Sequence, residues 1–206
     1  MLAAVVQLLE KTLIRVGNEE YMRSNHSFGL TTLRDQHARI NGSLVHFEFR
    51  GKSGIRHAVD LHDARLAHIV KACRDLPGYE LFQYVDETGT RQAIGSADVN
   101  TYLKAITGQP FTAKDFRTWV GTVLAARQLA ACEPCRNPSH GKRVINRAVE
   151  AVASRLGNTR AVCRKSYIHP AILDAYLAGH TLAYDETGVA ETIRAAAIIA
   201  RCPRAS

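Results

Sequence analysis

Tyr167 stands in the run Arg164-Lys165-Ser166-Tyr167-Ile168-His169-Pro170, with basic side chains just before it and a proline three positions after it. A phenol is a weak nucleophile at neutral pH because it ionises only near pH ~10. Covalent work by such a group requires cationic or hydrogen-bonding neighbours that stabilise developing negative charge. The sequence is rich in them, so nucleophilic attack is chemistry this run can support; a half-buried core tyrosine with its hydroxyl at the surface is the plain alternative. Cys132 and Cys135 form a second candidate, Cys-Glu-Pro-Cys. A zinc site there would need two further ligands, for which Cys163 and His140 are the candidates, and free or weakly redox-active thiols are the expectation. No paired-aspartate metal constellation, phosphate-cradling Gly-rich loop or histidine cluster at ligand spacing is present in the sequence.

Composition narrows the partner. The 206 residues are 46% hydrophobic, enough for a substantial core. Lys and Arg outnumber Asp and Glu by 27 to 19, for a net charge of +8 and a pI of about 9.5, which favours a polyanion. Five cysteines, at 73, 132, 135, 163 and 202, are odd in number and lack the spacing of a secreted disulfide framework. A reducing cytoplasm is the expected compartment. No stretch approaches the roughly 20 apolar residues that cross a bilayer, and the first residues do not read as an export signal.

The elements that must position Tyr167 follow from periodicity. Leu2, Val5, Val6, Leu8, Leu9 and Leu13 recur near helical spacing, and Asn18 can cap a second short helix over 19–23. Residues 36–40, 43–50 and 55–60 read as three strands, because Asn41-Gly42 favours a two-residue hairpin turn and Val45, Phe47 and Phe49 alternate with polar residues. Gly51-Lys52-Ser53-Gly54 makes the second turn. Helices are expected over 61–75, 96–107, 112–131, 139–157 and 188–200, with shorter pieces at 159–165 and 170–178. Thr112 and Asp115 resemble a capping box that sets Arg117 on the first turns of a long helix. The fold class is therefore mainly α with a small three-stranded antiparallel sheet at about 36–60, read as one catalytic domain over 1–206.

Ordered motifs carry a family resemblance. Ile14-Arg15-Val16-Gly17-Asn18-Glu19-Glu20-Tyr21, Gly29-Leu30-Thr31-Thr32-Leu33-Arg34, Phe49-Arg50-Gly51-Lys52-Ser53-Gly54, Lys114-Asp115-Phe116-Arg117-Thr118-Trp119, and Leu156-Gly157-Asn158-Thr159 before Lys165-Ser166-Tyr167 together resemble the type IB DNA topoisomerases. The match looks closest to their bacterial, poxvirus-like branch and spans most of 12–179. The resemblance implies the tyrosine recombinase/type IB topoisomerase catalytic-domain fold. It further implies a protein that cleaves one strand of duplex DNA through a tyrosine, lets it rotate and reseals it, as a cytoplasmic, nucleoid-associated monomer without ATP, metal or other cofactor. Carried over, Arg15 and Arg117 are the catalytic arginines, Lys52 the hairpin lysine and Tyr167 the nucleophile. Asn158 stands nine before the tyrosine, where poxviral and eukaryotic enzymes place histidine. Whole enzymes of the branch also have an N-terminal, mostly strand lobe that closes over DNA; the chain reads as beginning near the catalytic domain without it.

The chemistry agrees with these roles. Attack on a phosphodiester gathers charge on nonbridging oxygens, which two guanidinium forks suit. Lys52 can protonate the departing 5′ oxygen. An asparagine amide donates a hydrogen bond to a phosphoryl oxygen but carries no imidazolium charge. Arg34, His37, Arg39, Arg50 and Arg56 interleave with the small sheet, and Lys142, Arg143 and Lys165 lie further along the chain, as a DNA-binding surface would require. Two rivals stay open. Tyrosine recombinases or integrases use similar groups but typically show histidine three before the second arginine, where this chain has Lys114; a catalytically inactive duplex-DNA-binding domain is the other.

Overall fold

Of the residues whose spacing predicts one apolar face, Val5, Leu8, Leu9 and Leu13 are buried in or just after α1 (Leu2–Thr12), joined by Ala4, while Leu2 and Val6 are half-buried. In the computed structural model, which describes residues 1–180, the chain is mainly α-helical with a small three-stranded antiparallel sheet. It divides into two compact units, Met1–Phe116 and Arg117–Ser206. The helix expected over 188–200 lies outside the described residues.

In the first unit, Asn18 caps α2 (Glu19–Asn25), its Oδ1 accepting the Tyr21 N–H at 3.0 Å. Strands β1 (Ala38–Asn41), β2 (Leu44–Arg50) and β3 (Arg56–His62) pair antiparallel in sequence order. Val45, Phe47 and Phe49 point into the core while His46, Glu48 and Arg50 face outward, so the period-2 reading of β2 is met. The first hairpin differs from expectation by one residue. Asn41 pairs with Leu44, which leaves Gly42 and Ser43 as the loop, and Gly42 takes the positive φ of 58° that the first loop position demands. Helix α3 (Ala64–Arg74) follows, capped by Asp63, and α4 (Ser96–Thr107) packs against α1. Between them lies a hairpin that periodicity missed, β4 (Gln83–Val85) with β5 (Arg91–Ala93).

The second unit contains most of α5 (Ala113–Ala130), then α6 (Pro138–Leu156), α7 (Arg160–Ser166) and α8 (Pro170–Leu177). The reading of the α5 start holds: the Asp115 carboxylate accepts the Thr112 N–H at 2.7 Å. No helix among the described residues is long and apolar enough to cross a membrane.

His37, read from sequence as a DNA-facing residue, is buried in the first unit. Its ring lies 4.4 Å from that of Phe28, and Nδ1 accepts the Arg34 N–H at 3.0 Å. Burial, and then the Arg34 charge, pull its pKa below the usual 6.5. A folded pKa below the unfolded one means that the unfolded chain binds the extra proton first. The stability tied to neutral His37 is therefore complete above pH ~6.5 and is lost as pH falls through the folded pKa. Urea unfolding between pH 8 and 5 is expected to show this loss, with a slope of at most about 1.4 kcal/mol per pH unit from this group. His37→Gln is expected to flatten that component; an unchanged slope in the variant would contradict the assignment.

Candidate active site

Tyr167 ends α7 for reasons local to its sequence. Its N–H still closes a helical bond to the Cys163 carbonyl at 2.9 Å, but the backbone then leaves the helix (φ −129°, ψ −4°). Pro170 three residues later holds His169 extended and opens α8 at its first turn. The tyrosine is thus fixed in a short link between two helices, 8% exposed.

Arg117 reaches it from the first turns of α5. The guanidinium is buried, and its carbon lies 5.1 Å from the centre of the Tyr167 ring. Its Nη2 donates to the carbonyl of Leu156 at 2.6 Å. That carbonyl belongs to the last turn of α6, where backbone acceptors lack helical partners and the helix end is partially negative, so a fixed cation is well placed. Gly157 stops α6 in the left-handed conformation (φ 58°), and the Asn158 N–H turns back to the Ala153 carbonyl at 2.9 Å. This sharp stop directs the Asn158 side chain to the same place: Nδ2 donates to the Leu156 carbonyl at 3.4 Å. One carbonyl therefore gathers Arg117 and Asn158, and the guanidinium of Arg117 lies over Tyr167. The second unit brings together three of the five residues read as catalytic.

The other two are held in the first unit by one extended segment. The Phe28 N–H donates to the Arg50 carbonyl at 2.8 Å and the Leu30 N–H to the Arg15 carbonyl at 2.7 Å, so residues 28–30 tie the Arg15 backbone to the strand that leads into Lys52. Gly29 makes the approach possible. A Cβ there would lie 2.5 Å from the Gly17 Cα and 2.7 Å from the Arg15 carbonyl oxygen. Lys52 sits in the β2–β3 turn, exposed, with Ser53 and Gly54 at positive φ behind it. Its Nζ is 5.3 Å from the centre of the Tyr21 ring, a cation–π contact the sequence did not reveal although Tyr21 lies in the first motif. Lys52 lines a hollow together with Tyr21, Asn25, Ser27, Arg50 and Ser53.

The residues read as DNA-binding fall into distinct settings. Arg39 and Arg56 are exposed on the sheet and share Glu48, at 4.0 and 2.8 Å, so a phosphate would compete with a weak surface pair. Arg50 is exposed at the strand end, whereas Arg34 is half-buried over the Phe28 ring. Lys142 and Arg143 line a groove on α6 with Asn146, Arg147 and Arg160, and Lys165 is exposed on the last turn of α7.

Residues 1–187 match the family described as eukaryotic DNA topoisomerase I, catalytic core. The chain is 31% identical over 183 residues to the DNA topoisomerase 1B of Acanthamoeba polyphaga mimivirus, covering 85% of this chain and 54% of that protein. It is 23% identical over 175 residues to the DNA topoisomerase I of Monkeypox virus and to the DNA topoisomerase 1B of Vaccinia virus (strain Copenhagen), covering 83% of this chain and 52% of each. The chain spans about half the length of these curated relatives. They are viral, which corrects the expectation of a bacterial branch.

Proposed function

The chain belongs to the type IB DNA topoisomerase catalytic-core family, and from that membership we propose that it cleaves and reseals one strand of duplex DNA through Tyr167. The observation that carries the reading is the buried Arg117 guanidinium over the Tyr167 ring, with Asn158 hydrogen-bonded to the same Leu156 carbonyl. In the proposed step the Tyr167 oxygen bonds to phosphorus as the bond from phosphorus to the 5′ oxygen breaks. The phenol gives up its proton to solvent water, the 5′ oxygen takes one from Lys52, and a 3′-phosphotyrosyl ester and free 5′ hydroxyl remain. Arg15, Arg117 and the Asn158 amide donate to the nonbridging oxygens as charge gathers there. The ester conserves the energy of the broken bond, so rotation of the free strand and religation by the reverse step need no ATP. Arg39, Arg50, Arg56, Lys142, Arg143 and Lys165 hold the duplex through its phosphates.

The reading is tested by incubating the protein with a labelled suicide duplex in EDTA without nucleotide. A denaturation-resistant protein–DNA adduct is expected; an adduct that forms only with magnesium or ATP would contradict it. Relaxation of plasmid without pairing of two DNA sites separates this function from recombination.

Lys52 has its own signature. Lys52→Ala is expected to slow single-turnover cleavage of a normal phosphodiester by about 10²–10⁴-fold, the usual worth of a general acid. Replacing the bridging 5′ oxygen by sulfur supplies a leaving group of lower pKa, and most of that defect should vanish. Equal defects on both substrates would leave Lys52 a phosphate-binding residue.

A further inference from the structure

Helix α5 presents a glycine to the backbone of the very segment that carries the proposed nucleophile. A Cβ built on Gly121 would collide with the Tyr167 carbonyl oxygen and lie 3.3 Å from the Tyr167 carbonyl carbon and Cβ. Alanine ordinarily stabilises a helix interior relative to glycine, so the local helix gives no reason for glycine here. The reason is a neighbour far away in sequence. One residue on, Thr122 is 1% exposed. Its hydroxyl donates to the Thr118 carbonyl at 2.7 Å and accepts the His169 N–H at 3.0 Å. The Tyr167 carbonyl lies 3.5 Å from the same hydroxyl, as does the Ser166 carbonyl from Thr118 Oγ1, both long for a hydrogen bond. Residues 118, 121 and 122 form one stripe at helical spacing, and the link from Ser166 to His169 lies along it.

Arg117 is on the same helix, directly before this stripe. We infer that Gly121 and Thr122 are positioning residues that fix the Tyr167 backbone against α5 and so set the phenol's place relative to the Arg117 guanidinium. Gly121 permits the close approach, and Thr122 locks it through His169. Neither touches substrate. The inference rests on the reading of Tyr167 as nucleophile.

The test compares wild type, Gly121→Ala, Thr122→Val and Thr122→Ser on the suicide duplex, measuring single-turnover cleavage at saturating protein, noncovalent DNA affinity and thermal melting. Misplacing a reacting group by about 1 Å costs on the order of 10²-fold in rate, which is the loss expected for Gly121→Ala with affinity unchanged. Thr122→Val, which keeps the shape but removes the hydroxyl, is expected to cleave about tenfold more slowly, and Thr122→Ser to stay within about threefold of wild type. Gly121→Ala or Thr122→Val cleaving at the wild-type rate would overturn the inference. So would losses in melting and affinity that account for the slower cleavage. A wild type that forms no adduct overturns the parent reading and this inference with it, whereas an active wild type with indifferent variants overturns this inference alone.

Discussion

Tyr167→Phe is expected to reduce covalent capture of DNA to background while leaving noncovalent affinity within about twofold of wild type. The variant deletes one oxygen and keeps the ring. That ring is buried and lies over the Arg117 guanidinium, and the residue's backbone N–H donates to the Cys163 carbonyl, neither of which involves the hydroxyl. The fold should therefore persist, and a melting curve close to wild type is part of the expected result. Nothing adjacent can replace the lost nucleophile: Ser166, the neighbouring hydroxyl, belongs to the last turn of α7 and lies before the link that turns Tyr167 out of the helix. A normal yield of adduct from Tyr167→Phe would remove Tyr167 from the mechanism.

Arg117 should be nearly as sensitive, and in a way that distinguishes geometry from charge. Arg117→Ala removes the donor that meets the Leu156 carbonyl at 2.6 Å and the cation over the tyrosine ring. Arg117→Lys restores the charge but not the planar fork that can hold Leu156 with one arm and a phosphoryl oxygen with another. Both variants are expected to cleave about 10²–10³-fold more slowly at saturating protein, the cost of losing a preorganised donor to a developing oxyanion. Because the side chain is buried, Arg117→Ala can also weaken the fold; the lysine variant and a melting curve separate the two effects. Single-turnover cleavage by Arg117→Lys within about threefold of wild type would show that charge alone suffices at this position.

Much of this arrangement was legible in the sequence because its signals are local. The alternation of Val45, Phe47 and Phe49 located β2, the Thr112–Asp115 pair located the start of α5, and glycines around Lys52 marked a tight turn. Other features are set at long range and leave little trace. The β4–β5 hairpin has three residues per strand, too few for alternation to register, and five of its six residues are Gln, Tyr, Arg or Ala rather than β-branched. The burial of Arg117 and His37 was not legible either, because both types read as solvent-facing until a distant carbonyl or ring takes them in. Gly121 carries no local signal of its role, because its partner is the Tyr167 backbone, contributed by the segment after α7. The one-residue displacement of the first hairpin loop has a simpler cause, since Asn41-Gly42 and Gly42-Ser43 both satisfy the need for glycine in a two-residue turn.

In the proposed reaction Tyr167 becomes joined to the 3′ phosphate of the cleaved strand. The most direct measurement incubates the wild-type protein with a suicide duplex labelled on either side of the break, in EDTA without nucleotide, then denatures, digests and maps the modified peptide by mass spectrometry. Label on the 5′ side of the break is expected to stay with the protein, attached at Tyr167, while the downstream piece is released with a free 5′ hydroxyl. Attachment through the 5′ end, attachment at any of the other tyrosines, or the absence of any adduct would contradict it.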